Sequence, residues 1–311
     1  MRVSGSGPRV FSLAVMWMSG CALGFGWTPA QAQEAHDIYQ AEIVEMDGQL
    51  QLRAVENLTS RDGYDNQPAF SADGETLYYT SQRGDGDSTQ TDIWAISGQG
   101  DERRAEALWT TPESEYSPTP VPGRKALSVI RVEEDGKQKL WALPLDDAAP
   151  KRILEKIEPV GYHAWVDREL VLFVLGEPHE LQRVSADEPN AAGRVMAKDI
   201  GRALKKIPGK DSFSFVHKTK DGWWIKSLSV DGDKMKSLTR TLGEREDFDW
   251  SPDGALWMSD GEVFHRFRPG KDEDWQPVAW DKGTKPPKKI TRLTVSPDGR
   301  RLAFVAEHRA D

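Results

Sequence analysis

Three observations predict an all-β fold, a six-bladed β-propeller built from four-stranded antiparallel blades. A Ser-x-Asp-Gly turn occurs three times, at Ser71-Ala72-Asp73-Gly74, Ser251-Pro252-Asp253-Gly254 and Ser296-Pro297-Asp298-Gly299. Asp253 and Asp298 are 45 residues apart, and Asp73 and Asp253 are 180 apart, which leaves room for three degenerate copies at the same period. Each turn follows a short apolar stretch and precedes an alternating one, the pattern of a tight hairpin between half-buried strands. A repeat of about 45 residues with four short strands is the signature of a radial β architecture.

The degenerate copies are readable. Val121-Pro122-Gly123-Arg124 precedes a β-rich run from Ala126 to Val132, Val166-Asp167-Arg168 precedes Leu170 to Leu175, and Ile207-Pro208-Gly209-Lys210 precedes Phe213 to Lys218. With Gly74, Gly123, Arg168, Gly209, Gly254 and Gly299 as turn positions, the steps are 49, 45, 41, 45 and 45 residues. Asp-Gly supplies the positive φ that a tight turn demands. A third strand carries an aromatic in Asp92-Ile93-Trp94, Lys139-Leu140-Trp141 and Trp223-Trp224-Ile225. Recurrence at one strand position reads these tryptophans as wedges between blades. A more polar fourth strand, as in Arg104 to Trp109 or Met235 to Leu242, suits a sheet edge where charge discourages further pairing.

The sixth unit runs out after two strands, at Asp311. Its other two are expected at the opposite end of the chain. Asp37-Ile38-Tyr39 matches Asp92-Ile93-Trp94 as a third strand, and Gln49 to Leu58 matches the polar fourth. Two strands from each terminus would then close the last blade.

Residues 1–32 read as a signal peptide: Arg2 and Arg9, an apolar run from Val10 to Trp27, then Ala30-Gln31-Ala32 as a small-residue cleavage site. A single propeller domain then occupies 33–311, and a periplasmic or secreted location follows. Met18-Ser19-Gly20-Cys21 offers an alternative, a lipid anchor on Cys21. Cys21 is the one cysteine of the chain, so the remainder holds no disulfide. The formal charge is −9, and loss of Arg2 and Arg9 takes it to −11. An acidic surface argues against nucleic acid and anionic membrane as partners.

The stretch Asp65-Asn66-Gln67-Pro68-Ala69-Phe70-Ser71-Ala72-Asp73-Gly74, followed by Leu77-Tyr78-Tyr79-Thr80-Ser81, resembles the repeat of the TolB-like propellers, a WD-repeat-like group. The turns at 251 and 296 match it too. The resemblance implies the fold over residues 37–311 and says little of function. Members that act in the Tol–Pal envelope system carry an α/β domain before the ring. Here only Gln33 to His36 separates the leader from the first strand, so that domain is not expected.

In such rings, the segments entering the innermost strands converge on one mouth of the central channel. They are Tyr64 to Gln67, Glu113 to Ser117, Gly161 to His163, Gly201-Arg202, Glu246 to Asp249 and Thr291-Arg292. Glu113, Glu115, Tyr116, His163, Arg202, Asp247 and Asp249 are the candidate ligand-binding residues, since propellers bind at polar mouths. Six histidines lie apart without H-x-x-x-H or H-x-E spacing, so no metal and no cofactor is expected. Related pectin-fragment lyases hold a metal with histidines, and nothing here matches that set. Asp85, Asp87 and Asp92 lack the twelfth-position Glu of a calcium loop, where Ser97 stands. No G-x-S-x-G is present, and a carboxylate pair such as Glu113 with Asp247 has no separation that the sequence defines. The expectation is a monomeric, non-catalytic interaction module that binds an envelope or periplasmic protein or polymer through one face of the ring. The alternative is an enzyme or sugar-like ligand binder at the channel mouth.

Overall fold

The computed structural model describes residues 35–83, 90–232 and 234–308. The leader with Cys21, and Asp85 and Asp87, lie outside the described residues. Among those described, no helix is long and apolar enough to cross a membrane.

Among the described residues, twenty-four strands form six four-stranded blades. Blade 1 runs β3 (Asp65–Phe70), β4 (Thr76–Gln82), β5 (Thr91–Ser97) and β6 (Arg104–Trp109) from the channel outward. Blade 2 is β7 (Ser114–Pro120), β8 (Ala126–Val132), β9 (Gln138–Pro144) and β10 (Lys151–Arg152). Blade 3 is β11 (Val160–Val166), β12 (Glu169–Val174), β13 (Glu180–Ser185) and β14 (Arg194–Lys198). Blade 4 is β15 (Ile200–Lys206), β16 (Ser212–Thr219), β17 (Gly222–Ser229) and β18 (Lys236–Arg240). Blade 5 is β19 (Phe248–Trp250), β20 (Leu256–Ser259), β21 (Phe264–Phe267) and β22 (Gln276–Trp280).

Blade 6 joins the two ends of the chain. β23 (Thr291–Val295) and β24 (Arg301–Glu307) form its inner half, and β1 (His36–Met46) and β2 (Gln49–Asn57) its outer half. β1 lies antiparallel to β24 with Ile38 opposite Val305, Tyr39 opposite Phe304 and Ala41 opposite Leu302. Its partner β2 places Leu52 opposite Ile43. The expected closure is therefore present. β2 also pairs in parallel with β22, Gln51 opposite Ala279 and Leu52 opposite Trp280, so the outer edges of blades 5 and 6 are stitched into one eight-stranded sheet.

Alternation along the strands explains where the core lies. On β4, Leu77 and Tyr79 pack toward blade 6 with Ile38 and Val305, whereas Tyr78 packs toward blade 2 with Leu127 and Val129. Successive side chains point to opposite faces, so every blade contributes to two clusters. The core is accordingly six apolar clusters, one at each blade boundary. The third-strand tryptophans do more than wedge. Arg83 lies over Trp94 at 3.6 Å, Arg131 over Trp141 at 4.6 Å and Arg240 over Trp224 at 4.5 Å, so a cation caps each ring.

Five of the six Asp-Gly-type turns place a glycine at positive φ, as expected, including Gly74 (78°), Gly254 (80°) and Gly299 (71°). A side chain at Gly299 would also meet Pro252 of the preceding turn at 3.3 Å. The third turn differs from its expectation. Asp167, not Arg168, takes the left-handed conformation, with φ 55°. The hairpin there is shorter, Val166 lying opposite Glu169, and Asp tolerates that region better than a bulkier residue.

Candidate binding site at the channel mouth

Five innermost strands carry an irregularity at their channel-mouth end, between Asn66 and Ala69, Tyr116 and Thr119, Val160 and Tyr162, Ile200 and Leu204, and Thr291 and Leu293. A bulge leaves a residue unpaired and re-aims its side chain. At Gln67 and Ser117 the bulged residue sits at φ 57° and 56° without being glycine. The arrangement is held by the Gln67 side-chain oxygen, which accepts from Thr80 Oγ1 and from the Ser117 backbone N–H, both at 2.8 Å.

The channel itself is a cavity of about 410 Å³ lined by all six innermost strands. Of the seven candidates, His163, Arg202, Asp247 and Asp249 line it; Glu113, Glu115 and Tyr116 do not. The carboxylates of Glu113 and Asp247 thus do not face a common cavity.

Most of these side chains are engaged in joining blades. The buried His163 contacts Ser128 of blade 2 through Nε2 at 2.6 Å, and burial pushes its pKa down to about 3. It is a neutral imidazole. Ser128 donates to the Thr119 carbonyl, so Nε2–H is the tautomer that completes the set. Arg202 grips Asp247 with two bonds, Nε to Oδ1 at 3.1 Å and Nη2 to Oδ2 at 2.6 Å. Burial works against the charge of both. The pairing wins, holding Asp247 below the usual carboxylate range and Arg202 above its own. Asp249 accepts from the Trp250 and Val295 backbone N–H groups at 2.9 and 3.0 Å and pairs with Lys205 at 3.3 Å, tying blades 4, 5 and 6 together. Glu115 accepts from Thr111 at 2.6 Å and Arg131 at 2.9 Å. Its other oxygen is buried without a partner. Burial pushes the Glu115 carboxyl up to about 7 despite Thr111 and Arg131.

At the mouth each blade contributes one large polar side chain: Tyr64, Tyr116, Tyr162, Arg202, Asp247 and Arg292. Tyr162, Arg202, Asp247 and Arg292 line the cavity, whereas Tyr116 packs in part against the apolar cluster between blades 2 and 3. Burial pushes the Tyr64 phenol up to about 12, with Arg292 and Arg202 opposing, and Tyr162 and Tyr116 within the same electrostatic reach. Arg292 Nη2 donates to the Tyr162 hydroxyl at 2.9 Å. These residues belong to opposite blades, 6 and 3, so the bond spans the mouth. Tyr64, Tyr162 and Arg292 fall in the segments that the sequence brings to this mouth, but as single residues they went unselected. Their shared signal is position within the repeat.

A second groove, of about 960 Å³, opens between the outer parts of blades 5 and 6 on the opposite, turn-bearing face. Its arginines are already paired, Arg266 with Asp253 and Arg268 with Asp272. Among the described residues no cluster of three His, Cys, Asp or Glu is placed to hold a metal.

A closed six-bladed ring with a polar, aromatic mouth defines the class: this is a propeller of the TolB-like fold. A protein from Agrobacterium tumefaciens assigned as TolB superposes with a TM-score of 0.67 at 14% identity, over 89% of this chain and 99% of that one. TolB from Acinetobacter baumannii gives 0.52 at 12% identity, over 86% of this chain and 64% of that one. Oligogalacturonate lyase from Vibrio parahaemolyticus gives 0.55 at 10% identity, over 86% and 85%. No protein-family model matches the sequence, and no curated protein matches it. At these identities the likeness is one of fold.

Proposed function

We propose that this protein is an exported, monomeric, non-catalytic binding propeller whose single domain, residues 33–311, receives a protein or envelope polymer at the channel mouth. The observation that carries this reading is the grouping of Tyr162, Arg202 and Arg292 in the cavity lining, with Tyr64 and Tyr116 within electrostatic reach. Tyr and Arg are the residues in which binding energy concentrates at interfaces, and here Tyr162, Arg202 and Arg292 line the cavity beside bulged strand ends. His163, Asp247 and Asp249, the candidates of acid–base type that line the cavity, are each bonded to a neighbouring blade.

The test uses the mature chain as bait in an extract of the envelope compartment, beside a Tyr64→Ala/Tyr116→Ala variant. A partner captured by the parent and lost from the variant is expected, with hydrolase and lyase assays silent. Lyase assays belong in the panel because one structural neighbour is an oligogalacturonate lyase. No mouth-dependent partner together with a robust turnover would replace the binding module by an enzyme.

A further inference from the structure

The charges of the channel balance, with one exception. Arg202 is paired with Asp247, Lys205 with Asp249 and Lys206 with Asp167. Arg292, the remaining cation of the lining, has no carboxylate within ion-pair distance among the described residues. It is held by a neutral group, the Tyr162 hydroxyl, with the guanidinium carbon 5.2 Å from the Tyr162 ring centroid. Asp247 lies near but is committed: both its oxygens take Arg202, and it also accepts from the Arg292 backbone N–H rather than from its guanidinium.

An arginine in a cavity has a planar fork of donors suited to two parallel bonds with a carboxylate. A single phenol oxygen satisfies one of them. The contact reaches across the full mouth between strands 130 residues apart in sequence. A bond that bridges opposite blades through one weak acceptor is easily exchanged for a stronger one.

We propose that Arg292 is the carboxylate-recognition point of the mouth, and that its bond to Tyr162 is a latch which an incoming carboxylate replaces. This rests on the mouth being the binding face, and it names the chemical group recognised there. On binding, the Arg292 fork turns from the phenol to the two carboxylate oxygens. Tyr64, kept protonated by its burial, is a neutral donor within electrostatic reach of Arg292.

Titration calorimetry with N-acetylglycine and succinate tests this, with N-acetylglycinamide as the neutral control and inorganic phosphate as the competing anion. The parent protein should bind both carboxylates in preference to the amide and to phosphate. Arg292→Gln should weaken carboxylate binding at least about 10-fold, the scale of one hydrogen bond to a charged group. Arg292→Lys keeps the charge but not the fork and should fall between the two. Tyr162→Phe removes the competing acceptor and should strengthen binding, roughly 3-fold. A merely structural Tyr162 would not produce that gain. Equal binding by the parent and Arg292→Gln, a preference for phosphate, or a loss on Tyr162→Phe overturns the proposal. Should Arg292→Gln fail to fold, Arg292→Lys and Tyr162→Phe still decide it. An envelope partner that needs Tyr64 and Tyr116 but is indifferent to Arg292→Gln would sink the carboxylate assignment and leave the binding module intact.

Discussion

The boundary between blades 5 and 6 and the boundaries around blade 2 solve one problem with different chemistry. The first packs over the junction inside blade 6 where β1 from one end of the chain pairs with β24 from the other, and it is apolar. Tyr39 stacks on Phe304 at 5.7 Å, Phe264 meets Phe304 edge-on at 5.0 Å, and Leu52 and Trp257 are buried beside them. The second is polar near the channel. Glu115 lies buried with Thr111 and Arg131, while Thr91 of blade 1 donates to the Glu115 carbonyl. Ser128 of blade 2 gathers His163 and Trp165 of blade 3. Burial of apolar area is non-directional and tolerant of small shifts, which suits a closure. Polar bonds fix angles, which suits the walls of a binding mouth.

The sharpest way to break this contrast is Phe304→Ala. The side chain is fully buried and sits between Tyr39, Phe264 and Trp280. The cost should be about 3–5 kcal/mol, from lost transfer energy and the cavity left behind. Urea denaturation measures it. Phe213→Ala at the buried boundary of blades 3 and 4 is the control. If the seam is where the ring opens, hydrogen exchange at Ile38 to Ala41 should accelerate before that of β15 to β17 in the seam variant alone. A cost below about 1 kcal/mol would mean the seam is not held by this cluster.

Glu115 probes the polar side through pH. Its folded pKa of about 7 lies above the usual value for Glu, so between pH 4.5 and 7 the folded state binds more protons than the unfolded one. Stability is then greatest at the acidic end and declines as pH rises through that window, by up to about 3 kcal/mol for this one group. Glu115→Gln, which stays neutral and still accepts from Thr111 and Arg131, should remove that part of the slope. Urea melts at pH 5 and pH 8 give the comparison. An unchanged slope would show that Arg131 keeps the carboxylate ionised throughout.

How much of this was legible depends on whether the deciding interaction is local. Asp-Gly at the turns is a backbone requirement expressed in two adjacent residues, so the period and the six blades could be read directly. The seam was readable because Asp37-Ile38-Tyr39 repeats Asp92-Ile93-Trp94. The mouth was readable as segments, since each precedes or opens an innermost strand. Which residues dominate it was not. Gln67 and Ser117 take left-handed conformations that neither residue type announces, and the Gln67 side chain ties the two bulges together. Acids and histidine drew selection because they carry chemistry as residue types, whereas Asp249 and His163 are engaged with neighbouring blades. The Arg292–Tyr162 bond joins residues with no local relation at all.

The finest distinction concerns a device used twice. Trp165 donates its indole N–H to Ser128 Oγ and Trp250 to Ser214 Oγ, each at 2.8 Å and each across a blade boundary. Both serines donate in turn to a carbonyl on their own blade, Thr119 and Lys205. The two sites differ in one contact, because Ser128 also meets His163. Trp250→Phe strips Ser214 of its indole donor and should cost about 1 kcal/mol or slightly more. Trp165→Phe leaves Ser128 with the His163 N–H and should cost a few tenths less. Thermal denaturation of the two variants, each paired with Ser→Ala in a double-mutant cycle, separates the bond from the ring's packing. Equal coupling at both sites would mean that His163 accepts from Ser128 instead, reversing the tautomer and removing the neutral donor from this wall of the channel.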